Sequence, residues 1–81
     1  MARDVVAKVE VGPGETGSVQ LPGEYSATNP YPAFTVEKHA ADNLLVETHE
    51  EQVGDRNNYR VVVRITNHNR GPAWVELVTN L

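Results

Sequence analysis

The side chains that could bind a metal ion are few and scattered along this sequence. The three histidines, His39, His49 and His68, fall in three separate segments, and only His49 has acidic neighbours, Glu50 and Glu51. Adjacent residues of a strand point to opposite faces, so such a group cannot close around one ion without help from another segment. We therefore predict solvated histidines and no metal site.

Catalytic and cofactor-binding patterns are equally sparse. Ser18 and Ser26 lie at or near turns with no histidine close in sequence, and the chain has no cysteine. Residues 12–17 match G-x-G-x-x-G, but no helix is predicted to follow that could hold a pyrophosphate, and Glu15 would repel it. Residues 55–58 lack the further oxygen ligands of a calcium loop. We predict no catalytic residue, no cofactor and no enzymatic activity.

The size and charge of the chain restrict its partners. Its 81 residues suffice for one domain, 1–81, and the net charge of −4 repels phosphate backbones and anionic lipids. We therefore expect neither a nucleic-acid nor a membrane partner. No signal peptide or transmembrane span is recognisable, which favours the cytoplasm or a virion. Without disulfides, packing against copies of itself or a protein partner is the remaining common source of stability.

Apolar residues recur at every second position through most of the chain, which is the period of a half-buried strand. Residues 4–11 and 18–21 alternate in this way around the turn at 12–17, and predict an N-terminal hairpin. Further strands are predicted at 33–37, 59–66 and 73–78. Short strands at regular spacing with Gly, Pro and Asn between them predict an all-β fold, a small antiparallel β-sandwich or barrel of about six strands.

The segment at residues 38–52 fits two periods. Ala41, Leu44, Leu45 and Thr48 have helical spacing, whereas Leu44, Val46 and Thr48 also alternate as in a strand. A turn at residues 40–43 and the absence of a strong capping box favour the strand. The alternative is an α+β fold with one helix in this segment.

The last two predicted strands allow a specific register. If they form a hairpin, Ile65 faces Val75 on one side and Arg64 faces Glu76 on the other, and a one-residue slip would place Arg64 against Val75. This register predicts that Val62, Trp74 and Val78 share the outer face. Such a face is either an ordinary exposed strand surface or a protein contact anchored by the only tryptophan.

The pattern Tyr59-x-Val61-x-Val63-x-Ile65-x-Asn67, followed by Gly71-Pro72 and another apolar strand, resembles the closing hairpin of bacterial and phage immunoglobulin-like β-sandwich modules. The resemblance covers residues 59–78. It implies a spacer, an adhesion unit or a decoration on a larger assembly.

These observations together predict a non-enzymatic structural or interaction subunit of a larger assembly, for example a phage virion decoration or tail accessory protein. The interaction candidates are Val62, Trp74, Val78 and Tyr31. The alternative is a small carbohydrate-binding module, in which Tyr25, Tyr31 and Trp74 would form one stacking platform.

Overall fold

Six strands form the regular structure of the computed structural model, which describes residues 3–39, 43–54 and 57–80. The strands are β1 (Arg3–Val11), β2 (Thr16–Gln20), β3 (Phe34–His39), β4 (Leu44–Gln52), β5 (Tyr59–Asn67) and β6 (Ala73–Asn80). Sheet A has the order β1-β6-β3 and sheet B the order β2-β5-β4, all antiparallel. The all-β prediction is confirmed, and the two sheets do not close into a barrel.

The segment with two possible periods is extended wherever the structure describes it. Residues 38 and 39 end β3, and β4 begins at Leu44. The helical alternative is therefore wrong for these residues, because Leu44 and Val46 pack against the core on the inner face of β4. Most of the turn predicted at 40–43, and the Asp55–Arg56 part of the polar turn after β4, lie outside the described residues.

Both predicted hairpins turn out to be connections between sheets. β1 pairs with β6 while β2 pairs with β5, so the chain crosses from sheet A to sheet B at residues 12–15. The turn after β5 crosses back to sheet A. Among the described strands, β4 and β5 are the sequence neighbours that pair with each other.

The predicted register between β5 and β6 is therefore wrong. Arg64 lies opposite Ser18 and Glu47, whereas Glu76 lies opposite Lys8 and Glu37. Alternation identifies which face of a strand is buried but not which strand lies beside it. The apolar residues that were expected side by side instead meet across the interior, in a core that includes Val61, Val63, Ile65, Val75 and Leu77.

A β-bulge interrupts the alternation of β1. The register to β6 shifts between Val5, which pairs with Val78, and Ala7, which pairs with Leu77. The extra residue, Val6, packs against the core, and Val5 lies on the outer face with 40% of its surface exposed. A bulge of this kind moves one strand end to the opposite face, which explains why Val5 departs from the predicted inner row.

A buried asparagine, Asn67, links the connections after β1 and after β5. The fully buried Asn67 donates from Nδ2 to the carbonyl oxygens of Val11 (3.0 Å) and Gly71 (2.9 Å). Its Oδ1 accepts from the backbone N–H of Asn69 (2.9 Å), and its carbonyl accepts from that of Gly14 (2.8 Å). Gly14 has φ +75°, a left-handed conformation that suits glycine. Asn67 thus links the end of β1, through its side chain and its backbone carbonyl, to the β1–β2 and β5–β6 crossings.

Candidate functional site

The four predicted interaction residues do not form one surface. Val62 alternates with the fully buried Val61 and Val63, so it lies on the outer face of sheet B. Trp74 lies on the outer face of sheet A, on the other side of the molecule. Val78 shares that face of sheet A but is only 1% exposed. The predicted patch of Val62, Trp74 and Val78 is therefore wrong, although the outward position of Trp74 is confirmed.

Tyr31 belongs to a separate group of rings at the far end of β6. Its ring lies 6.0 Å from those of Tyr25 and Phe34 and 6.1 Å from that of Tyr59, packed against the core. Phe34 pairs with Thr79, five residues from Trp74, which is about 16 Å along a strand. Tyr25, Tyr31 and Trp74 therefore do not make the single platform that the carbohydrate alternative requires.

Partial burial of this ring group shifts the pKa of one hydroxyl group, that of Tyr59. Desolvation raises the pKa of Tyr59 above its ordinary 10.0, and the negative charge of Glu50 acts in the same direction. The backbone of Tyr59 exchanges two 2.8 Å hydrogen bonds with Tyr25, which extends sheet B beyond β2.

The outer face of sheet A holds the densest group of functional side chains among the described residues. Register places them in two adjacent rows, with Trp74 opposite His39 and Glu76 opposite Glu37 and Lys8. We call this group the sheet A cluster. Its members are Arg3, Lys8, Glu37, His39, Trp74 and Glu76.

An aromatic stack forms the first row of the sheet A cluster. The His39 and Trp74 rings lie 3.8 Å apart with an interplanar angle of 8°. The Lys8 ammonium nitrogen lies 4.3 Å from the centre of the Trp74 ring, within the range of a cation–π contact. The indole ring of Trp74 thus contacts the His39 ring and the Lys8 ammonium group, both at the protein surface.

A shared carboxylate forms the second row. Glu76 Oε1 lies 3.0 Å from His39 Nε2 and 3.4 Å from the Arg3 guanidinium. Arg3 also pairs with Glu37, to which its Nε donates at 3.2 Å. This hydrogen bond holds the pKa of Glu37 below its ordinary value, and the same contact raises the pKa of Arg3. The two rows are therefore one connected network.

This network was not predicted from the sequence, because none of the histidines has its network partners as immediate neighbours in the chain. Glu37 and His39 are two residues apart, the spacing that places both on one face of a strand. Glu76 joins them through strand pairing, so that one ligand-type atom from each of the three residues lies within 4.8 Å of the others. His49 and His68 are exposed, as predicted, whereas His39, also predicted to be solvated, is half-buried.

A small cavity opens at the other end of sheet A and has a volume of about 200 Å³. Tyr25 donates its hydroxyl hydrogen to the carbonyl of Pro22 at the cavity wall. The lining residues are Asp4, Val6, Leu21, Pro22, Tyr25, Pro32 and Thr79.

Comparisons with protein-family models, with curated proteins and with solved structures find no match for this chain. The resemblance of residues 59–78 to immunoglobulin-like modules therefore stays a prediction. Across the described residues, no helix is long and apolar enough to cross a bilayer.

Proposed function

We propose that this protein is a non-enzymatic structural or interaction subunit, and that it associates with a second copy of itself through the outer face of sheet A. The observation that carries the proposal is the His39–Trp74 stack, which lies half-exposed near one end of the outer face of sheet A with charged side chains around it. Tryptophan is one of the residue types enriched among interface anchors.

The charges around the stack suit an isologous contact between two copies. Arg3 and Lys8 are positive and Glu10 and Glu37 are negative, and all four lie on this face beside β6. A two-fold axis that passes between the positive and the negative side chains brings opposite charges of the two copies within reach, because the same surface patch is used twice. The contact would also stabilise a domain that is small and has no disulfide.

The setting we propose for this association is a larger assembly such as a phage virion decoration or a tail accessory protein. Its support is the small β-sandwich fold together with the resemblance noted for residues 59–78.

The molar mass in solution, measured by light scattering over a range of concentrations, tests the proposal. We expect a concentration-dependent dimer, and Trp74→Ala should weaken it by about 2 kcal/mol, or about 30-fold, while the monomer remains folded. Val62→Ala is the matched control, because Val62 is a half-buried residue of the opposite outer face. A monomer at every concentration would overturn the proposal, as would equal weakening by the two substitutions.

A further inference from the structure

The two rows of the sheet A cluster together supply the donor types of a metal site. Glu37 and His39 come from β3 and Glu76 from the neighbouring β6, and their side chains share the outer face. One ligand-type atom from each lies within 4.8 Å of the other two. All three side chains are partly exposed, so an ion from solution can reach them.

We propose that Glu37, His39 and Glu76 bind a divalent transition-metal ion of the zinc type. All three ligands come from one chain, so a single copy completes the site, which lies on the same face as the proposed self-association.

The distances require only a small adjustment. Two ligand atoms on one tetrahedral zinc ion lie about 3.3 Å apart, since each metal–ligand bond is about 2.0 to 2.1 Å long. His39 Nε2 and Glu76 Oε1 are already 3.0 Å apart. Glu37 must close by at most about 1.5 Å, which its 36% exposed side chain can do by rotation. The stack on Trp74 holds the His39 ring in place for this purpose.

The donor set selects the class of ion. One imidazole nitrogen and two carboxylate oxygens suit Zn²⁺ and its neighbours Co²⁺, Ni²⁺ and Cu²⁺, whereas Ca²⁺ requires six to eight oxygen ligands. Two carboxylates also balance the charge of a divalent ion. Three protein ligands leave at least one coordination position for water.

Arg3 competes with the ion for the same carboxylates. Its guanidinium contacts both Glu37 and Glu76, and must move aside when an ion binds. The Arg3 side chain is 51% exposed and can be solvated elsewhere. Removal of Arg3 should therefore strengthen metal binding, a result that a purely structural ion-pair network does not predict.

Two titrations of the full chain test the site. Ni²⁺ is followed by quenching of Trp74, the only tryptophan and a direct neighbour of His39, and Zn²⁺ is followed by calorimetry. We expect one ion per chain. His39→Ala and Glu37→Gln should each weaken binding by at least about ten-fold, and Arg3→Ala should tighten it about two- to five-fold.

The control is His49→Ala, because His49 is an exposed histidine on a strand beside Glu50 and Glu51 and should not change the affinity. Circular dichroism of each variant establishes that it is folded, and Glu37→Gln is the conservative change if His39→Ala loses its structure. Absence of binding, unchanged affinity in both ligand variants, or equal loss in His49→Ala would overturn the proposal.

Discussion

The two outer faces of the sandwich are built on central strands of the same pattern, yet they differ in how their side chains interact. On sheet A, Glu76 contacts Arg3 and His39, and His39 stacks on Trp74. On sheet B, the described contacts are local pairs, among them a 3.6 Å ion pair between Arg60 and Glu51 and a 3.2 Å hydrogen bond between the hydroxyls of two threonines. The contacts on sheet A form a network, whereas these contacts on sheet B are separate pairs.

The difference originates in the flanking strands. β5 and β6 both alternate buried apolar residues with outward residues, among them Arg64 on β5 and Glu76 on β6. On sheet A, β1 and β3 place opposite charges and a flat ring directly beside the outward residues of β6. Cross-strand neighbours are the unit of interaction on a sheet, so a central residue with two complementary neighbours becomes the centre of a network. The sequence of a strand therefore does not by itself determine which contacts its outward side chains make.

The largest effect is expected where the two sheets are linked. Asn67→Ala removes a buried side chain that satisfies the carbonyls of Val11 and Gly71 and accepts from Asn69. Buried polar groups that lose their partners are costly, and we expect the free energy of unfolding to fall by about 2 to 4 kcal/mol. Chemical denaturation of the variant beside the wild type measures it.

The same experiment shows whether the two faces depend on one core. Trp74 fluorescence reports on sheet A, and far-ultraviolet circular dichroism reports on both sheets. We expect the two signals to be lost together in the wild type, because the core includes residues of both sheets. Separate transitions would mean that the sheets unfold as separate units. Asn69→Ala, which removes one side-chain bond to Asn67, should cost less than Asn67→Ala.

Period-two alternation was sufficient to predict the strands and the fold class. It was also sufficient to place Val61, Val63 and Ile65 inside, because the hydrophobic effect depends on the face of a strand and not on the neighbouring strand. It could not predict pairing. The inward residues of β5 and β6 are buried equally well whether the two strands lie side by side in one sheet or face each other across the core. The bulge at Val6 left no clear signal either, since Val5 and Val6 are the same residue type.

The sheet A cluster was predictable only in part. The pair Glu37 and His39 is visible in the sequence as two polar residues on one face of a strand. Arg3 and Glu76 are 73 residues apart and meet only because β1 pairs with β6. Sequence spacing gives no information on such contacts until the order of the strands is known.

A smaller loss of stability is expected when a charge is removed from the outer face of sheet A, and it distinguishes this face from that of sheet B. Glu76→Gln takes the negative charge from a carboxylate that contacts Arg3 and His39 and is 17% exposed. We expect this change to lower the free energy of unfolding by about 1 kcal/mol, because a partly buried and shared carboxylate contributes more than an exposed one. Thermal denaturation at neutral pH measures the difference.

Glu47→Gln is the matched control on sheet B, where Glu47 is exposed and lies opposite Arg64. We expect a change of less than about 0.5 kcal/mol there. If the two substitutions have equal effects, the network on sheet A has no more energetic significance than a pair of surface charges, and the contrast between the faces fails.

The smallest expected effect is a dependence of the stability on pH in the acid range, which arises from Glu37 on sheet A. Arg3 holds the pKa of Glu37 below its ordinary 4.5, so the folded state favours the charged carboxylate. The resulting stabilisation is complete above pH 4.5 and is lost as the pH falls through the lowered pKa of the folded state. Glu37→Gln lacks this titration. The melting temperatures of wild type and variant should therefore differ near pH 6 and converge in acid, with no such convergence for Glu47→Gln. A difference between wild type and Glu37→Gln that stays constant from pH 6 to pH 2 would show that the Arg3–Glu37 contact does not favour the charged form.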